Sequence, residues 1–195
     1  MSIAALTPRE VTELSGTPKH IVEKAIEERV LRVHTAARAG ANGRRMLPMH
    51  AVVYAVVVSK LDLRLTATHK KRLLGKLAHL KSADMHKARV ELTPAVEIDV
   101  SRLVGDVLKR AERYRTARDA SIQIDDAIMG GTPIIRGTRM TVYSVLGRID
   151  HGETIDEILA DNPDLGRDAV EAAVTYARTH PLMGRPAGRP WANAA

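Results

Sequence analysis

Cysteine and phenylalanine are both absent from this 195-residue chain, which carries one Trp and four Tyr. Without cysteine there is no disulfide framework, no thiol nucleophile and no cysteine-ligated zinc site. That absence also fits a reducing compartment. With so few aromatics the core must be aliphatic, which favours helices packed through small side chains. It leaves little material for platforms that stack single-stranded bases. Long apolar runs are missing too. The longest, Ala51 to Val58, falls well short of the ~20 residues that span a bilayer. Residues 1–9 show no basic stretch leading into an apolar run, so no secretory signal is expected, and a cytoplasmic location is.

Catalytic patterns are equally scarce. The eight His are scattered, with no His-Glu-x-x-His pair and no Gly-x-Ser-x-Gly elbow. The pair Gly130-Gly131 is not followed by Gly-Lys-Ser/Thr, which excludes a P-loop. Asp125-Asp126 reads as a turn rather than a magnesium site. We therefore expect no enzyme, no metal and no cofactor.

What is present is positive charge, unevenly placed. The net charge is +7, but residues 1–60 carry +4, residues 61–120 carry +6 and residues 121–195 carry −3. A basic front and an acidic back suggest two modules with different partners. The basic part suits phosphate backbones, which bind cations with release of counterions.

Local signals place the elements. Thr7, Pro8 and Glu10 form a capping box with proline at the first helical position, which predicts a helix over 6–14. Ser15-Gly16 breaks it. Thr17-Pro18 is expected to start a second helix by the same chemistry, Thr17 as its cap, running to about Arg29 with Ile21, Val22, Ala25 and Ile26 on its apolar face. Two short helices around a tight glycine turn are the sequence form of a helix-turn-helix. Leu31-Arg32-Val33 alternates like a strand, 34–45 reads as a loop or wing, and Met46-Leu47 as a returning strand. Pro48 is expected to open a third helix through the valine-rich run 51–58, with a buried strand as the alternative. Helices are expected over 66–80 and 101–117, the second capped by Ser101, and 90–92 and 96–100 between them read as a small hairpin or two edge strands.

In a helix-turn-helix the second helix enters the major groove. Its early residues Thr17, Lys19, His20, Glu23 and Lys24 are thus expected to be exposed. All of these but Glu23, an acid, are candidate DNA contacts. Arg38, Arg44 and Arg45 on the wing are candidate backbone or minor-groove contacts. Residues ~6–60 resemble the winged helix-turn-helix of MerR-type regulators.

From Ser121 the texture changes. Ile122 to Ile124 and Ile134-Ile135 read as short strands, and Gly130-Gly131-Thr132-Pro133 and Gly137-Thr138 as turns. Helical patterns follow over 142–149, 154–160 and 166–179, the middle one opened by the capping box Thr154/Glu157 and stopped by Asn162-Pro163. Arg136 and Arg139 lie among apolar residues and need partners, for which Asp125, Asp126 or a helix C-terminal carbonyl could serve.

The run Gly130-Gly131-Thr132-Pro133-Ile134-Ile135-Arg136-Gly137-Thr138-Arg139-Met140-Thr141-Val142 closely resembles the signature of the domain-of-unknown-function 433 family. The likeness continues through Gly152, Asn162-Pro163-Asp164-Leu165 and Ala172 to Ala177. With the N-terminal part, the chain resembles the VapB-type antitoxins of toxin–antitoxin pairs. This resemblance implies a cognate PIN-type ribonuclease toxin as partner, double-stranded operator DNA as ligand, and a homodimer. It also implies that an extended tail can place Arg in the toxin's carboxylate cluster, for which Arg185 and Arg189 are the candidates. A stand-alone MerR-like regulator responding to a small molecule is the alternative.

The expected fold class is mainly α. A winged helix-turn-helix domain (1–80) and a linker with short strands and a helix (81–120) come first. A three-helix, helix-turn-helix-like domain with short β-strands (121–180) and a flexible tail (181–195) follow.

Overall fold

The computed structural model describes residues 4–36, 44–61 and 63–182. Those residues are mainly helical, with short antiparallel strands. Strand β1 (Ala4–Leu6) leads into α1 (Pro8–Ser15), and a tight turn separates α1 from α2 (Lys19–Glu27). Then β2 (His34–Ala36) pairs with β3 (Arg44–Pro48), His34 opposite Met46, and β3 lies between β1 and β2 in a three-stranded sheet.

The start of the chain folds as its turn chemistry dictates. The Thr7 hydroxyl accepts from the Glu10 amide, and the Glu10 carboxylate accepts from the Thr7 amide. Gly16 ends α1 in the left-handed region at φ 62°, where glycine meets no Cβ penalty. Two expectations fail here. Thr17 does not cap α2; it is only 8% exposed, and its hydroxyl pairs with that of Ser15 at 2.8 Å. Leu31 to Val33 form no strand. Leu31 is buried in the core, and pairing with β3 sets the strand three residues later.

The valine-rich run is a helix, α3 (Ala51–Lys60), with Ala51 through Val57 all buried. It packs against α1, α2, α4, α5 and α6, so it can be apolar on every face. Helix α4 (Ala67–Leu77), capped by Thr66, buries Leu73 and Leu77. The hairpin β4 (Arg89–Thr93) and β5 (Val96–Asp99) follows. The single helix expected over 101–117 is two, α5 (Val100–Val104) and α6 (Val107–Ser121). Asp99, not Ser101, caps the first. Gly105 separates them at φ 54°, ψ −131°, a conformation open essentially to glycine alone.

Residues 81–120, expected as a linker, are part of the larger core. Met85, Val90, Ile98, Val107, Leu108 and Tyr114 pack there with Leu6, Val11, Leu47 and α3.

A second, smaller core follows. Strands β6 (Ile122–Gln123) and β7 (Ile134–Ile135) pair antiparallel. Helices α7 (Val142–Asp150), α8 (Ile155–Asp161) and α9 (Arg167–Thr179) close over Ile135, Val142, Val145, Ile158, Val170 and Tyr176. Helix α9 is apolar on two sides. Val170, Ala173 and Ala177 face the small core, while Ala172 joins the large one and α9 packs on α6 and α1. Ala111 and Ala117 of α6 and Ala172 of α9 all lie in that larger core. No described helix is long and apolar enough to cross a membrane.

Candidate nucleic-acid interface

Helix α2 buries Val22 and Ala25 and turns Lys19, His20, Glu23 and Lys24 to solvent. The rows Lys19/Glu23 and His20/Lys24 lie one helical step apart, so they form one exposed ridge. Thr17, expected at its head, is buried and points inward. Lys19 and Glu23 form an exposed pair at 2.7 Å, a contact of small net stability that a ligand can break.

A cleft flanks the ridge on each side. One, of about 810 Å³, joins Lys19 and Glu23 to Arg9 of α1 and to Arg44 and Arg45 of β3. The other, of about 610 Å³, joins His20 and Lys24 to Arg64 and Lys70. The structure thus brings the sequence candidates Lys19, Arg44 and Arg45 together, and sets His20 and Lys24 against the opposite cleft. Arg9, Arg64 and Lys70 were missed as site residues. Their signal was present but weak. Arg9 follows the helix-opening Pro8, and Lys70 stands in the basic run Lys70-Lys71-Arg72. Arg38, Arg185 and Arg189 lie outside the described residues.

These cations differ in freedom. Arg9 and Arg45 are exposed. Lys70 is held by Glu28 at 2.6 Å in a half-buried pair. Beside that pair, burial and then the Glu28 charge push the Tyr54 phenol above its usual range. Arg44 is turned towards α9. It donates to the Tyr176 hydroxyl at 3.0 Å and lies 5.7 Å from that ring's centre, a cation–π geometry. On the same ring His180 stacks at 4.0 Å.

A buried polar cluster anchors α1, the helix that precedes the ridge and packs against it. Glu10, only 1% exposed, accepts from the Thr7 amide (2.6 Å), the Tyr114 hydroxyl (2.6 Å) and the Arg118 guanidinium (2.9 Å). Burial alone would raise its carboxyl. The Arg118 charge and the three donors outweigh burial and hold it below the usual carboxylate range. The capping residue of α1 therefore ties α1 to α6. The His180 imidazole is also displaced. Burial lowers it, the Glu10 charge raises it, and the Arg44 and Arg118 charges lower it, for a net fall.

The glycine-rich signature has a structural explanation. Gly131 and Gly137 both sit at φ 78°. A Cβ on Gly131 would fall 2.6 Å from an Asp126 carboxylate oxygen. Arg136 donates through Nε to the Ala120 carbonyl at 2.9 Å, so its partner is the helix C-terminal carbonyl and not an aspartate. Asp125 accepts from the Ala127 amide at 3.0 Å, as a turn residue does. Among the described residues no three His, Cys, Asp or Glu are placed to hold a metal ion.

This two-stranded, three-helix unit coincides with a family match. Residues 122–177 carry a DUF433 domain. The family is described as a protein of unknown function. A relative, the uncharacterized protein y4eO of Sinorhizobium fredii (strain NBRC 101917 / NGR234), is 33% identical over 88 residues. That alignment covers 45% of this chain and 39% of the relative, so the chain spans well under half of the curated relative it matches. No solved structure matches the chain. The DUF433 domain meets the rest of the molecule through α9, whose Tyr176 receives Arg44.

Proposed function

We propose that this chain binds duplex DNA through the exposed ridge of α2 and the β2–β3 hairpin, as the operator-binding antitoxin of a toxin–antitoxin pair. The observation that carries the DNA reading is the α2 ridge itself. Lys19, His20 and Lys24 stand clear of the core, with Arg9 and Arg45 on one flank and Arg64 and Lys70 on the other. A short helix presenting cations between two basic clefts meets a major groove and its phosphates. Helix α2 packs on α1 and α3, and α1 is tied to α6 through Glu10, a preorganised support that lowers the cost of binding.

The antitoxin half of the proposal rests on the resemblance to VapB-type chains. A homodimer reads two half-sites, and the acidic C-terminal part together with Arg185 and Arg189 engages a PIN-type toxin. Two experiments test the two halves. In a fluorescence-anisotropy titration with the chain's own promoter, Lys19→Ala/Lys24→Ala/Arg45→Ala weakens binding and flattens the salt slope by about three units if each contacts one phosphate. Affinity equal to the parent removes this surface. Isolation of the tagged chain from its host brings a small ribonuclease with it, and Arg185→Ala/Arg189→Ala weakens inhibition of that enzyme. Recovery of the chain alone removes the toxin.

A further inference from the structure

The cleft between the N-terminal part and the DUF433 domain has an asymmetry that mutual docking does not explain. One wall presents Arg9, Lys19, Arg44 and Arg45, with Glu23 as the one carboxylate. Glu23 is itself engaged by Lys19. The facing wall comes from the acidic end of the chain, which carries −3 over residues 121–195. Yet it turns Ile124, Gly131, Pro133, Tyr143 and the end of α9 towards the cleft, and no Asp or Glu. If the cations served only to hold the two parts together, acids would be the economical facing residues. Instead four cations meet a wall without one. Lys19 is partly satisfied by Glu23 on its own wall, and Arg44 by a neutral phenol.

We infer that this cleft is a binding site for a phosphate group. Low-dielectric walls around charge of one sign concentrate the field on an anion. Arginine matches the fork of phosphate oxygens. The volume of about 810 Å³ lies within the range of small-ligand sites, so a phosphoryl group with its attached moiety fits. Helix α2 adds its own opening turn. Pro18 provides no side-chain cap there, and Lys19, next along, lines the cleft. The inference rests in part on the DNA reading above, since the cleft runs along one side of the same ridge. A duplex seated on α2 can lay a backbone phosphate in it, and so can a free phosphorylated compound.

The test uses the full chain and two probes, inorganic pyrophosphate and a promoter duplex. It compares Arg9→Ala/Arg45→Ala with Lys24→Ala/Arg64→Ala on the opposite flank. Arg9 and Arg45 are exposed, so thermal melting of that variant stays at the parent value. By calorimetry the parent binds pyrophosphate saturably, and Arg9→Ala/Arg45→Ala weakens this at least tenfold while Lys24→Ala/Arg64→Ala does not. If the phosphate belongs to DNA, the slope of log affinity against log salt also falls by about two in Arg9→Ala/Arg45→Ala. If it belongs to a free compound, the pyrophosphate affinity changes and the duplex slope does not. The inference is overturned if Arg9→Ala/Arg45→Ala behaves as the parent with both probes, or if the parent binds neither. A parent that binds pyrophosphate but no duplex keeps the cleft and removes the DNA reading. A parent that binds duplex but no pyrophosphate, with no loss of duplex affinity in Arg9→Ala/Arg45→Ala, removes the cleft and keeps the DNA reading.

Discussion

Replacing Glu10 removes the most connected polar group among the described residues of the N-terminal half. The carboxylate holds the Arg118 guanidinium, the Tyr114 hydroxyl and the first amide of the α1 cap. Glu10→Ala leaves Arg118, whose side chain is 14% exposed, without its buried partner and with only the exposed Asp119 to hold it. Breaking a buried pair by deleting one member costs roughly 3–5 kcal/mol. Loss of a helix cap costs about 1 kcal/mol, and the two losses overlap because one side chain makes both contacts. We expect about 4 kcal/mol, a large part of the 5–15 kcal/mol typical of a domain. Urea unfolding followed by circular dichroism reads it directly. Tyr114→Phe alone should cost about 1 kcal/mol, and the double variant should fall short of the sum, because the shared bond is counted once. The pH dependence follows from the lowered carboxyl. The unfolded chain binds more protons as pH falls, so the contribution of Glu10 is complete above the ordinary value of 4.5. It is lost as pH falls through the lower folded value. Glu10→Gln should flatten that acid limb. A loss below 1 kcal/mol for Glu10→Ala with an unchanged urea slope, or strict additivity with Tyr114→Phe, would refute the reasoning.

Other outcomes follow from the same geometry. Gly137→Ala should cost about 1–2 kcal/mol by thermal melting, because φ 78° is strained for a side chain although nothing blocks the Cβ; Gly131→Ala should cost at least as much, since Asp126 must also move. Tyr176→Phe should cost about 1 kcal/mol through loss of the Arg44 contact, and hydrogen exchange should then rise along β3 before it rises in α3. His180, lowered chiefly by burial, should titrate by NMR below its ordinary 6.5. It binds a proton less readily folded than unfolded, so its contribution is present above pH 6.5 and is lost as pH falls through the folded value. An imidazole that titrates at or above 6.5 contradicts this.

What could be read in the sequence was what short-range chemistry decides. The capping boxes at Thr7/Glu10 and Thr154/Glu157, the turns at Gly131 and Gly137 and the three helices of the DUF433 domain all depend on residues within four positions of each other. What could not be read depends on distant partners. His34–Ala36 is a strand because β3 lies beside it, whereas the better-looking alternation at Leu31 to Val33 is used to bury Leu31 at the end of α2. Gly105 sits in an unbroken apolar pattern and splits α5 from α6 only through its dihedrals. The site shows the same division. The exposure of Lys19, His20 and Lys24 follows from helical period. The convergence of Arg9 with Arg45, the Glu10–Tyr114–Arg118 cluster and the Arg44–Tyr176 contact, 132 residues apart, leave no local trace. Thr17 misled because Thr-Pro at a helix start suggests a cap, while here Ser15 takes its hydroxyl.

The central claim is that the α2 ridge sits on duplex phosphates. A salt series of anisotropy titrations with the promoter duplex, comparing the parent with Lys19→Ala/Lys24→Ala/Arg45→Ala, tests it most directly. In the parent log affinity should fall linearly with log salt, and in the variant the slope should be shallower by about three. Equal slopes, or a parent that binds no duplex at low salt, would contradict it.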